Sequence, residues 1–109
     1  MNALGMIEVF GFTTAVCTAD VAAKAADVRI IAFDRNKPAA GDAAEVPLVM
    51  LVKMEGEVGA VNAAMEAGVA YAKGKGLYIT SHVIARPGPD VDKMAYRNDI
   101  GKDKLRKVK

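Results

Sequence analysis

The chain has one cysteine, Cys17, and one histidine, His82. A single thiol forms no disulfide within the chain, and with one imidazole it builds no CxxC or Cys/His metal cluster. An oxidising compartment is therefore not required. No apolar run approaches the roughly 20 residues that a membrane-spanning helix needs. The opening stretch "MNALGMIEVFGF" lacks a basic n-region and contains Glu8, which predicts a cytosolic, soluble protein without a signal peptide. A phosphate-binding loop is missing too. Gly56 and Gly59 give only G-x-x-G, no P-loop lysine follows, and Glu57 in the first helical turn repels anions.

What is present is apolar content. The 109 residues fit one domain, and 52% of them are hydrophobic with a mean hydropathy of +0.15. A short chain buries a smaller fraction of its surface than a long one, so self-association is expected. The net charge of +2 hides an asymmetry: residues 1–90 carry 8 basic and 10 acidic side chains, whereas residues 91–109 carry 7 and 3. The tail "GKDKLRKVK" has no interleaved aromatics, so it reads as a solvated extension rather than a nucleic-acid or membrane contact. Residues 1–90 form the expected body, and 91–109 a C-terminal helix and basic tail.

Hydrophobic periodicity predicts the elements. "LGMIEVF" (4–10) alternates as a strand, with Ile7 and Val9 on one face and Met6, Glu8 and Phe10 on the other. "TTAVCTADVAAKAAD" opens with threonines able to cap a helix, then sets Val16, Ala19, Ala23 and Ala26 at helical spacing. "VRIIAF" (28–33) and "LVMLVKM" (48–54) are further strands, the second with Leu48, Met50, Val52 and Met54 on one face. "VGAVNAAMEAGVAYAK" carries an apolar stripe through Val58, Val61, Met65, Val69 and Ala72, and Gly74 and Gly76 stop that helix. "LYITSHVIA" (77–85) is the last strand, and "RPGPD" separates it from a short terminal helix. The order β-α-β-β-α-β plus a C-terminal helix gives an α+β, ferredoxin-like fold with its helices on one face of the sheet. The other face needs cover, which an oligomer would supply.

The stretch "DRNKPAAGDAAEVP" (34–47) separates the two middle strands and is far longer than the 2–5 residues of a common hairpin loop. Catalytic chemistry is hard to find elsewhere. Cys17 and His82 have no orienting third group, and Glu55 and Glu57 flank Gly56 as a solvated strand end, with Glu57 favoured by the helix dipole. No catalytic residue, metal ligand or cofactor is assigned.

"ALGMIEVFGF", "ADVAAKAADV", "GEVGAVNAAMEAG" and "HVIARP" occur in an order and spacing that resemble the hexamer-forming shell proteins of bacterial microcompartments, the BMC family. The resemblance implies a variant of the ferredoxin-like fold. It also implies a non-enzymatic subunit that forms homo-hexameric tiles, which join with other shell proteins around enclosed enzymes. The family's tile-edge lysine falls on Lys24 and its arginine on Arg86. Its pore lies in a short glycine-containing loop between the second and third strands, where this chain has residues 34–47 instead. Six such loops would meet near one axis, and Arg35, Asn36 and Lys37 are the candidates for lining the opening. Gly88 stands where members often have histidine. A second reading is a small ligand-binding or regulatory oligomer with residues 34–47 as a binding flap.

Overall fold

Side-chain alternation along the first strand sets the architecture, because each residue pointing one way must find cover different from its neighbour's. In the computed structural model, which describes residues 2–97, this strand is β1 (Ala3–Phe10). There follow α1 (Phe12–Ala25), β2 (Arg29–Asn36), β3 (Val49–Gly56), α2 (Val58–Gly74), β4 (Tyr78–Ile84) and α3 (Pro89–Ala95). The strands lie in the order β2-β3-β1-β4, every neighbouring pair antiparallel, as the ferredoxin-like reading requires.

One sheet face carries Ile7, Val9, Met50, Val52 and Met54, all essentially without solvent contact, and packs against α1 and α2. The close fit of α2 depends on Gly5: a Cβ there would stand 2.8 Å from Met65 Sδ and 2.9 Å from Val61 Cγ1. In α2 the buried residues are Val61, Ala64, Met65, Gly68 and Ala72, so the expected stripe is right at three positions, while Val58 at the first turn is 46% exposed.

The α1 reading needs correction. The face turned to the core is Ala15, Thr18, Ala19 and Ala22; of the expected stripe Ala19 is buried and Ala26 packs against the core from just past the helix, whereas Val16 and Ala23 point outward. In so alanine-rich a helix two adjacent stripes are nearly equally apolar, and the structure buries the one whose small side chains let α1 approach α2. Val16 stays 42% exposed. The threonines do not cap the helix: Gly11, at φ +91°, is the N-cap, a conformation glycine adopts freely.

The second sheet face is covered at one end only. There α3 stands beside Leu4, Met6, Leu51 and Ile84 across an open groove and buries Ala95, while Val91 and Met94 stay exposed. This seven-residue helix starts at Pro89 and brings polar groups from the end of the described chain onto the sheet. The basic tail "GKDKLRKVK" (101–109) lies outside the described residues.

Candidate functional site

The two middle strands separate later than expected. The β2 strand does not end at 33 but continues through Asp34, Arg35 and Asn36, which pair with Leu51, Met50 and Val49. The connection is thus residues 37–48, and it is an organised one. Asn36 Oδ1 accepts the Lys37 backbone N–H at 2.9 Å. A 3-10 turn at Gly41–Ala43 is closed by Gly41 N–H to the Pro38 carbonyl (2.9 Å) and Ala44 N–H to the Gly41 carbonyl (3.2 Å). The Gly11 N–H donates to the Leu48 carbonyl at 2.8 Å, so the returning end is fastened to the turn between β1 and α1. Arg35, Asn36 and Lys37 are all exposed and consecutive at the start of this connection.

Lys24 and Arg86 sit at the opposite end of the sheet. Lys24 is in the last turn of α1, just before β2 begins, and Arg86 is on the turn after β4 ends. The register places the start of β2 beside the end of β3, and the start of β1 beside the end of β4. Both cations therefore share one end, though β2 and β4 are opposite edges of the sheet, so nothing brings the two side chains together. Eight-residue strands separate this end from Asn36 and Lys37 by roughly 25 Å. Lys24 is extensively exposed and paired with Asp20 one turn earlier at 2.9 Å, and that hydrogen bond and charge hold its ammonium above the usual lysine range. Arg86 is exposed while the following Pro87 is buried, so the arginine projects from a fixed turn.

Beside the Lys24 end a cleft of about 560 Å3 is walled by Asp27, Arg29, Glu55 and Glu57. Glu55 is not the solvated strand end that its sequence position suggests; it is 8% exposed. Arg29 Nη2 donates to Glu55 Oε1 at 2.5 Å, and the Tyr96 hydroxyl donates to Oε2 at 2.5 Å. Burial alone would push the Glu55 carboxyl up, but the hydrogen bonds from Tyr96 and Arg29, with the Arg29 charge, outweigh it and leave the group below its usual range. The hydrogen bond to Glu55 pushes the Tyr96 phenol up. Glu57, in contrast, is exposed at the N-cap of α2.

A second polar centre went unnoticed in the sequence. Lys53 is 4% exposed, and its Nζ lies 2.5 Å from Asp34 Oδ2 and 2.6 Å from the Arg97 carbonyl oxygen. Only the i, i+2 alternation Leu51, Lys53, Glu55 opposite Met50, Val52, Met54 pointed to it, by putting Lys53 on the face away from the helices.

No catalytic pair forms from Cys17 and His82. Cys17 is half-buried on α1, on the helix side of the sheet, close enough to Tyr71 to push that phenol up. His82 is opposite Met6 in the register and exposed on the other side. Among the described residues no group of three or more His, Cys, Asp or Glu side chains is placed to hold a metal, and no helix is long and apolar enough to cross a membrane.

Comparison with known proteins gives this geometry a setting. The family model described as "BMC domain" matches residues 3–87. The bacterial microcompartment shell protein PduA of Citrobacter freundii is 39% identical over 93 residues, spanning 85% of this chain and 90% of that protein. The carboxysome shell protein CsoS1A of Hydrogenovibrio crunogenus is 40% identical over 92 residues, spanning 83% of this chain and 85% of that protein. A crystal structure of a microcompartments protein from Desulfitobacterium hafniense DCB superposes with a TM-score of 0.63 at 22% identity, over 82% of this chain and 43% of that one, a likeness of fold.

Proposed function

Because the chain belongs to the BMC domain family of bacterial microcompartment shell proteins, we propose that it is a structural shell subunit that assembles into hexameric tiles packed edge to edge. The role is non-catalytic, and its partners are further copies of itself, other shell proteins and the enzymes enclosed. The observation that carries the reading is the placement of two features at opposite ends of one sheet. The connection 37–48 is at one end, and Lys24 and Arg86 are at the other.

A ring of subunits with the first end inward gathers six copies of Arg35, Asn36 and Lys37 around its axis, where they line an opening for small metabolites. The same orientation sends Lys24 and Arg86 to the perimeter. There the Lys24 stem lies along a neighbouring tile and its ammonium finds backbone carbonyls, exchanging Asp20 for them. Arg86 makes the companion contact from its stiff turn. The binding-flap alternative is not favoured, since the matched relatives are shell proteins.

Native mass spectrometry and negative-stain imaging test this directly. The unaltered chain is expected to give a six-subunit mass and extended sheets, whereas Lys24→Ala and Arg86→Ala keep the six-subunit mass and lose the sheets. A stable monomer from the unaltered chain rejects the assembly. Sheets that persist in both variants reject the two edge residues.

A further inference from the structure

The β2 strand outlasts its own apolar sequence. Its last three residues, Asp34, Arg35 and Asn36, include two residue types depleted in strands, and the strand lies at a sheet edge with its register broken between Ile30 and Ala32. Past that irregularity, Asp34 to Lys53 is a side-chain tie on the sheet's second face. Asp34 is opposite Leu51 in the register and so faces the same way as Lys53. The Lys53 ammonium is buried, and a buried ammonium is tolerated only when it is paired. A slip of β2 by one residue would turn Asp34 to the other face and leave that charge uncompensated. The penalty for misregister therefore falls one residue before Arg35, at the edge of the candidate opening.

We infer that Lys53 is the positioning residue for the lip formed by Arg35, Asn36 and Lys37: through Asp34 it fixes where β2 stops and the connection starts. This rests on the reading of that segment as the pore lip. The ammonium is shared with the Arg97 carbonyl, so it also ties the lip's strand to the chain following α3. Neither residue touches what passes through the opening; they set the geometry of those that do.

The test uses the full chain, assembled, with hydrogen exchange read by mass spectrometry and a thermal midpoint measured alongside. Lys53→Met is expected to speed exchange in the peptide covering 33–37 about tenfold, with β1 and α2 still protected. The pair Lys53→Met with Asp34→Leu replaces the buried ammonium and its part-exposed carboxylate partner by apolar side chains, an exchange that generally preserves stability because no charge is left buried alone. It is expected to return the midpoint to within about 3 °C of the original while leaving exchange at 33–37 fast. Asp34→Asn, which leaves Lys53 its carbonyl partner, gives the same local acceleration should Lys53→Met fail to fold. Recovery of both the midpoint and the slow exchange in the paired variant overturns the inference, because Lys53 would then be a stability element only. Unchanged exchange at 33–37 in Lys53→Met or Asp34→Asn overturns it as well. Imaging of the unaltered rings separates the two levels: loops that do not meet at an axis reject the pore reading, while the exchange result still decides whether Lys53 holds the end of β2.

Discussion

Glu55 and Glu57 are two residues apart and chemically alike, yet only Glu55 is enclosed, and only Glu55 joins α3 to the sheet. Its carboxyl titrates below its unfolded value, so the node contributes fully above about pH 4.3 and that contribution fades as pH falls through the lower folded value. Tyr96 shifts the other way: its contribution is complete below about pH 10 and is lost as pH rises through its raised folded value. Urea unfolding should therefore show a plateau between these limits, with a loss on the acid side that Glu55→Gln largely removes by lowering the plateau itself. Tyr96→Phe should cost about 1 kcal/mol at pH 7 in the same measurement, the usual net value of one hydrogen bond. Thr18 offers the opposite effect. Its hydroxyl is buried between α1 and α2 without a partner among the described residues, so Thr18→Val should raise stability by about 1 kcal/mol.

The strands were readable because alternation is insensitive to which apolar residue fills a position, and β1 and β3 bury the face that their spacing marks. The helices were readable in extent but not wholly in orientation. In α1, alanine at 15, 19, 22, 23 and 25 makes hydrophobicity nearly uniform around the axis, and the choice of face depends on how closely α2 approaches. That approach is set at Gly68, where an added Cβ would stand 3.4 Å from Thr18 Cγ2 and 3.5 Å from Ala22 Cβ, while the seating of α2 on β1 depends on Gly5 having no side chain. Gly5→Ala should destabilise the fold by about 1–3 kcal/mol in chemical denaturation, since Val61 is β-branched and has little freedom to move aside. The extension of β2 and the docking of α3 were not readable. Both depend on charged residues, Lys53 and Glu55, which look like solvated surface until the register shows which face they share and what covers it. Lys24 and Arg86 were identified through resemblance, and only the fold shows that they share one end of the sheet.

On the proposed assembly, permeation and packing fall to different ends of each subunit. Replacing residues 38–47 with a short glycine-rich linker should therefore leave the hexamer mass and the sheets intact, as checked by native mass spectrometry and imaging, while changing solute flux through closed shells. Asp20→Asn acts at the other end: it leaves Lys24 without its intrahelical partner and should preserve or strengthen sheet formation, where Lys24→Ala is expected to abolish it. The roughly 25 Å between these ends has a further consequence for a mixed population. A lattice that recognises subunits by their outer rims does not discriminate among them by what they carry at the centre. On that proposal, chains with different central segments share one facet, and the traffic across that facet becomes a matter of stoichiometry, adjustable by how much of each chain a cell makes.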